Sequence, residues 1–144
     1  MDFIDRIAGP DERNLTRLSQ GLDLTPEQTL AVVNAVEAEI RHYLEGRTLS
    51  RGGLADVVTI MGNEAQRVFL DPAADLASDD AIARGNHLLD EIWQTTYRSR
   101  VVADRTAAET GVPADKIRRL LPRIANLTFA ALSTLSLIHI SEPT

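Results

Sequence analysis

No window of this sequence alternates apolar and polar residues over the length of a β-strand, although a half-buried strand requires that alternation. The Asn-Gly and Asp-Gly pairs that favour tight hairpin turns are also absent. Apolar residues instead recur three and four positions apart, as they do along one face of an α-helix. Because 44% of the residues are hydrophobic but only 4% are aromatic, the core must consist mainly of Leu, Ile, Val and Ala. The sequence predicts one all-α domain, a multihelical bundle.

The strongest helix signal begins at LTPEQ, residues 24–28. Thr25 can cap a helix through its hydroxyl, Pro26 suits the first helical position, and Gln28 completes a capping box. The helix is predicted to end near Gly46. Its apolar stripe is Leu30, Val33, Val36, Ile40 and Leu44, and the residues predicted to face away from the stripe are Glu37, Arg41 and Glu45.

Shorter apolar patterns predict five further helices. Gly21 and Gly111 suit the left-handed position that follows a helix. Pro122 removes a hydrogen bond from the last helix and predicts a kink or a break near Leu121. The apolar positions of these helices are Leu15 and Leu18; Leu54, Val57, Val58 and Met61; Ile82, Leu88, Leu89, Ile92 and Trp93; Val101, Val102, Thr106 and Ala107; and a last group after Pro113.

Two parts of the chain resemble each other when the sequence is shifted by 88 positions. LTPEQTLAVVNAV, residues 24–36, then aligns with VPADKIRRLLPRI, residues 112–124. Each copy is a short helix, a glycine turn and a longer helix, and one such hairpin cannot bury its own apolar stripe. The pattern predicts an internally duplicated helix-turn-helix-like hairpin with repeat units of about 11–45 and 98–134. Chance similarity between two capped amphipathic helices is the alternative.

The last ten residues, LSLIHISEPT at positions 135–144, read codon by codon as the translation of the transposase adapter used in sequencing libraries. We therefore expect this tail to be non-native, so it contributes nothing to the predicted fold. The native domain is predicted to cover residues 1–134.

Three segments together resemble the YidB-like family, a bacterial family of domains of unknown function. They are GGLADVVTIMG at residues 52–62, LDPAADLASDDAIARGNHLLDEIW at 70–93, and TGVPADKIRRLLPRIANLTFAAL at 110–132. The chain departs from the family at Gln94, Thr95 and Thr96, where members have a Gly-Ser-type turn. It also lacks the serine or threonine cap expected after Gly111. The resemblance implies a multihelical domain over residues 1–134 and no particular biochemical role.

The residues that usually mark catalysis are missing or scattered. Without cysteine the chain has no disulfide, thiolate zinc site or cysteine nucleophile. His42 and His87 fall on different predicted helices and begin no metal-ligand spacing, and phosphate-loop, dinucleotide and nucleophile-elbow motifs are absent. His87 with Asp90 and Glu91 has the spacing of ordinary helix-surface neighbours. The sequence predicts a protein that is not an enzyme and uses no metal or cofactor.

The N-terminus MDFIDRIAG lacks the basic cluster and apolar run of a secretory signal. No stretch reaches the roughly 18 apolar residues of a membrane span. A cytoplasmic protein without membrane contact is the resulting expectation.

Charge is unevenly distributed along the chain. Residues 1–97 carry 8 basic and 17 acidic side chains, a net charge of −9, whereas residues 98–134 carry 7 basic and 3 acidic side chains, a net charge of +4. A basic stretch is most often a solvated helix face. Within it, Ala107, Gly111 and Ile117 have the spacing of a helix-turn-helix motif.

DNA binding through the basic segment 98–123 is therefore one hypothesis. The predicted contact residues are Arg98, Arg100, Lys116, Arg118 and Arg119, the last three on the recognition helix. The hypothesis that the sequence favours is a non-catalytic protein-interaction or structural module. Its partner would be an unknown protein or a second copy of the chain.

Overall fold

The computed structural model describes residues 12–61, 64–71, 73–95 and 97–141, and the regular structure in these ranges is entirely helical. The predicted all-α, multihelical fold is confirmed. The elements are α1 (Glu12–Ser19), α2 (Pro26–Arg47), α3 (Arg51–Met61), a 3-10 helix (Glu64–Leu70), α4 (Asp79–Trp93), α5 (Arg98–Thr110) and α6 (Ala114–Ser141).

Helix α2 begins with the predicted capping box. The hydroxyl of Thr25 accepts a hydrogen bond from the Gln28 backbone N–H at 3.1 Å, and the Gln28 side-chain oxygen accepts one from the Thr25 N–H at 2.9 Å. Pro26 occupies the first turn, where its missing N–H leaves no bond unmade.

Two predictions about the faces of α2 are wrong. Leu30 is 38% exposed, whereas Glu37, which the pattern placed on the outer face, is only 2% exposed. Because α2 packs against α1, α3, α4, α5 and α6, the buried sector is wider than a single stripe and includes position 37. The other four positions of the predicted stripe are buried.

Helix α6 is the centre of the bundle, since every other helix packs against it. All of its residues from Leu120 to Ser133 are buried, and a helix enclosed on all sides belongs to a core rather than to a surface. Of the kink or break predicted near Leu121, the break does not occur, because α6 continues through the internal Pro122 to Ser141; the kink stays a prediction. Surrounding helices hold this segment in place where a solvent-exposed helix would end.

The α6 helix runs into the segment predicted to be adapter-derived. Residues 135–141 continue the helix, and residues 142–144 lie outside the described residues. A helical backbone does not test where those codons came from, so the non-native tail stays a prediction.

Helix α3 buries a narrower strip than its pattern predicts. Val57 and Ile60 are buried, but Leu54 and Val58, which were assigned to the same buried face, are exposed. Since α3 packs along one edge against α2 and α6, only one row of its side chains reaches the core. The side chain of Met61 lies outside the described residues.

A buried arginine attaches α1 to α6. Arg123 donates through Nη1 to the carbonyl oxygens of Leu18 at 3.0 Å and Gln20 at 2.7 Å. These carbonyls lie at the C-terminal end of α1, where helical partners run out and the helix dipole favours a cation. Burial lowers the pKa of Arg123, while Asp75 raises it and Arg119 lowers it to smaller extents.

A second arginine ties α1 to the end of the 3-10 helix and to the segment after it. Arg17 donates through Nη2 to the carbonyl of Phe69 at 2.7 Å and approaches that of Ala74 at 3.4 Å. Burial lowers the pKa of Arg17, and the Asp71 carboxylate partly opposes this shift. The short α1 is therefore held by polar contacts at both arginines as well as by Leu18, which is fully buried.

The two hairpins of the predicted duplication share one local feature. Gly21 and Gly111 follow α1 and α5 with φ of +78° and +76°, the left-handed conformation that glycine adopts most easily. They differ elsewhere, since α2 begins with a capping box and has an exposed face, whereas α6 is buried on all sides from Leu120 to Ser133. The duplication stays a prediction.

Candidate interaction surfaces

Three exposed large apolar residues lie on the outer face of α3 and in the loop before it. Leu54 is 46% exposed, Val58 is 57% exposed, and Leu49 is 89% exposed. Leu54 and Val58 are four residues apart on α3, so their side chains are neighbours on one face. Ala55 and Thr59 are also exposed. We call this surface, formed by Leu49, Leu54, Ala55, Val58 and Thr59, the α3 face.

Charge is sparse around the α3 face. The two ionisable residues of α3 are Arg51 and Asp56. The Asp56 carboxylate lies 2.6 Å from Nη2 of Arg47, which also donates through Nη1 to the Glu91 carbonyl at 3.0 Å. Asp56 is thereby neutralised within its own chain, and the helix as a whole has no net charge.

A cleft of about 300 Å³ lies beside this ion pair, lined by Arg47, Asp56, Thr59, Ile60, Glu91 and Gln94. Arg47 and Asp56 of this cleft are already paired with each other. No group of three or more His, Asp or Glu side chains that could hold a metal ion occurs among the described residues. His87 and Glu91 form an exposed pair at 2.9 Å, four residues apart on α4. This is the surface arrangement that their spacing predicts.

Two helices joined by a glycine turn are present at the junction of α5 and α6, where the sequence predicts the helix-turn-helix motif. Gly111 turns the chain in the left-handed conformation, Ala107 is half-buried, and Ile117 is fully buried. Small and branched residues at these positions let the two helices pack closely. Among the residues of α6 whose burial is described, 114–133, the exposed side chains lie in residues 114–119, about one and a half turns.

The five residues predicted to contact DNA do not form one surface. Arg98 lies over the Tyr43 ring, with its guanidinium carbon 4.9 Å from the ring centroid. Lys116 donates to the Asp23 carbonyl at 3.1 Å. Arg98 and the α5–α6 turn are at opposite ends of α5, roughly 18 Å apart along its axis.

The remaining three predicted contacts, Arg100, Arg118 and Arg119, are exposed. Arg118 lies 3.6 Å from the Asp115 carboxylate one turn earlier. Other basic residues of the segment have structural partners, since Arg105 forms an ion pair with Glu39 at 2.5 Å and Arg123 is buried. The net charge of +4 over residues 98–134 thus overstates the positive charge available at the surface.

The sequence pattern missed two features of this surface. The exposure of α3 was missed because the periodicity of apolar residues marks a helix face but does not say whether a neighbour covers it. The proximity of Tyr43 and Arg98 was missed because the residues are 55 positions apart and meet only when α5 packs against α2. One feature of the sequence pointed to the exposed apolar surface at α3: Leu49 is a large apolar residue that belongs to no predicted helix.

The described helices contain no stretch that combines the length and the apolarity of a membrane-crossing segment. Comparisons with protein-family models, with curated proteins and with solved structures give no match for this chain. The resemblance to the YidB-like family accordingly stays a prediction.

Proposed function

We propose that this chain is a non-catalytic protein-interaction module, that the α3 face is its contact surface, and that the partner at this face is a second copy of the chain. The observation that carries the proposal is the joint exposure of Leu54 and Val58 on one side of α3. Single exposed apolar residues are ordinary. Several on one helix and its adjoining loop form a patch of the kind that marks contact sites.

The distribution of charge favours self-association through α3. The chain has a net charge of −6, so two copies repel each other across most of their surfaces. Helix α3 has no net charge, and its acidic residue Asp56 is paired with Arg47. Contact between two copies at this helix therefore brings no like net charges of the two helices together.

A two-fold axis would place the two α3 helices antiparallel. Such an interface is self-complementary, because the same patch serves both subunits. Leu54 of one copy then lies near Val58 of the other, and both are removed from water. Ala55 and Thr59 are small enough for the helices to approach closely.

The size of the patch limits the strength of the interaction. Helix α3 has 11 residues and is about 16 Å long, so one helix pair buries less than the roughly 1,200 Å² of a standard stable interface. A weak dimer, with a dissociation constant in the micromolar range or above, is the expected state.

DNA binding is the competing function, and the exposure of Arg118 and Arg119 near the Gly111 turn favours it. Against it, the first turns of the recognition helix could use only residues 114–119, because α6 is buried from Leu120 to Ser133. A helix that reads the major groove usually presents base-contacting residues along its exposed face.

The test is sedimentation equilibrium of the full chain over a wide range of concentration, with Val58→Asp as the disrupting variant. Val68→Asp is the matched control, because Val68 lies in the 3-10 helix and is 54% exposed, close to the 57% of Val58. We expect the unaltered chain and Val68→Asp to self-associate and Val58→Asp to remain monomeric. A chain that stays monomeric at millimolar concentration overturns the proposal, as does equal self-association of the two variants.

A salt-series DNA titration distinguishes the competing function. Binding to phosphates releases counterions, so genuine DNA affinity falls steeply as salt rises. Salt-sensitive binding that disappears when Lys116, Arg118 and Arg119 are all replaced by Ala would support a DNA-binding protein and contradict our proposal. We expect no binding at low salt.

A further inference from the structure

A pocket of about 270 Å³ lies between the C-terminal half of α2 and the beginning of α5. It is lined by His42, Tyr43, Gly46 and Arg47 of α2 and by Arg98 of α5. Arg47 is committed to Asp56 and to the Glu91 carbonyl, so its charge is already balanced. The charge of Arg98 is not balanced in this way.

The guanidinium of Arg98 has no acceptor among the described residues. Its Nε is buried without a hydrogen-bond partner, and its contact with the protein is with the face of the Tyr43 ring, at 4.9 Å. A buried donor without an acceptor costs on the order of 1–3 kcal/mol. A cation on an aromatic ring recovers about 0.5–2 kcal/mol of that, and the N–H groups of Nη1 and Nη2 have no acceptor among the described residues.

The location of Arg98 on its helix adds to the positive potential. It is the first residue of α5, where the helix dipole disfavours a cation, and the first turn contains no acidic residue to offset it. An anion in the pocket would relieve both the unpaired guanidinium and this unfavourable location.

The groups behind the pocket hold Tyr43 and Arg98 in place. The Tyr43 ring meets Trp93 edge to face, with centroids 4.8 Å apart and an interplanar angle of 73°. Trp93 in turn donates through Nε1 to the hydroxyl of Ser99 at 3.0 Å, and Ser99 follows Arg98 on α5. Little side-chain freedom remains to be lost when a ligand binds, and this favours affinity.

We propose that this pocket binds a small anion that carries a carboxylate or phosphate group. Two anion oxygens accept hydrogen bonds from the planar guanidinium of Arg98, the geometry in which arginine recognises oxyanions. Gly46, where a side chain would meet nothing within 4 Å, leaves the α2 side of the pocket open to the rest of the ligand. The site is independent of the α3 face, so either proposal can fail alone.

The test is titration of the full chain with inorganic phosphate and, separately, with succinate, at constant ionic strength. Trp93 is the single tryptophan of the chain and contacts Tyr43, so its fluorescence reports on the pocket. We expect a saturable change with a dissociation constant in the millimolar range or below for at least one probe. Saturation by phosphate alone assigns a phosphate ligand, and saturation by succinate alone assigns a carboxylate.

Two variants that remove the same charge separate the site from general charge effects. Arg98→Gln is expected to weaken binding about tenfold or more, the loss of roughly 1.4 kcal/mol. Arg100→Gln, two residues further along α5 and exposed, is expected to change it less than about twofold. Equal losses in the two variants overturn the proposal, and so does the absence of saturation by both probes through the millimolar range.

Nuclear magnetic resonance keeps the test valid if Arg98→Gln does not fold. In the unaltered chain, the Hε resonance of Arg98 should shift during the titration with the same dissociation constant as the fluorescence. An Hε resonance that stays fixed while the fluorescence changes would contradict binding at Arg98.

Discussion

Gly85 of α4 lies so close to Pro122 of α6 that a Cβ atom at position 85 would overlap the carbonyl oxygen of Pro122, and would lie 2.7 Å from its carbonyl carbon. The two positions that look weakest in the sequence, a glycine inside one helix and a proline inside another, are thus in contact with each other. The absence of a side chain at Gly85 lets α4 and α6 pack backbone against backbone at this point.

Replacing Gly85 with Ala should destabilise the protein, although alanine favours helix by about 1 kcal/mol over glycine. The added methyl group meets backbone atoms of Pro122, which cannot move aside as a flexible side chain can. We expect a net loss of about 2 kcal/mol or more in the free energy of unfolding, measured by urea denaturation.

Gly46→Ala is the matched control, because Gly46 also lies in a helix and a Cβ there meets nothing within 4 Å. Its expected effect has the opposite sign, a gain of about 0.5 kcal/mol from helix propensity and a less flexible unfolded chain. Equal effects of the two changes would show that propensity, not the contact with Pro122, decides stability at Gly85.

The fold class and several helix starts could be predicted because they depend on local interactions. Thr25, Pro26 and Gln28 act within one turn of their own positions, and the structure has the capping box that they predict. The burial of Glu37 and the exposure of Leu54 could not be predicted, because they depend on which helices lie beside α2 and α3 in space.

The candidate sites were less predictable than the fold. The five predicted DNA contacts are all basic and lie close together in the sequence, and for this reason they were predicted to form one surface. They are Arg98, Arg100, Lys116, Arg118 and Arg119. In three dimensions two of them are engaged, Arg98 with Tyr43 and Lys116 with Asp23. Contacts between residues far apart in sequence decided which charges remained at the surface.

Removing the Thr25 cap should cost about 1 kcal/mol of stability. Thr25→Ala leaves the Gln28 backbone N–H without its acceptor, which now lies at 3.1 Å, at the start of the longest amphipathic helix. Thr25→Ser keeps the hydroxyl and should retain most of the stability. Urea denaturation of the two variants checks this; a Ser variant as unstable as the Ala variant would mean that the methyl group, not the cap, is responsible.

Arg123 should be important for stability although it is charged and buried. Arg123→Met keeps most of the side-chain volume but leaves the carbonyl oxygens of Leu18 and Gln20 without their donor. Charge-assisted hydrogen bonds contribute about 1.5–3 kcal/mol each, and relief of the buried charge offsets part of this. We expect a loss of about 2 kcal/mol in the free energy of unfolding.

Arg119→Met is the control for Arg123, since Arg119 is exposed on the same helix and surface changes usually alter stability by no more than about 0.5 kcal/mol. Hydrogen exchange gives a second measurement, because Arg123 holds the end of α1. Amides of α1 should exchange faster in Arg123→Met than in Arg119→Met. Unchanged exchange in α1 would contradict a role for Arg123 in attaching that helix.

Gln66 and Asn126 should act as one unit in the core. The Gln66 amide donates to the Asn126 side-chain oxygen at 2.8 Å and to its backbone carbonyl at 3.1 Å, while Asn126 donates through Nδ2 to the Ala81 carbonyl at 2.7 Å. Gln66→Ala leaves the buried side-chain oxygen of Asn126 without its donor. Asn126→Ala removes one of the two acceptors of the Gln66 amide and the donor to the Ala81 carbonyl. Each loss costs about 1–3 kcal/mol. Once one side chain has been removed, removing the second costs less stability, because the hydrogen bond between the two is already lost.

In a double-mutant cycle with Gln66→Ala and Asn126→Ala, the double variant should therefore be more stable than the sum of the single effects predicts, by about 1 kcal/mol. Additive losses in urea denaturation would mean that the two amides stabilise the 3-10 helix and α6 separately, and that the bond between them contributes nothing beyond packing.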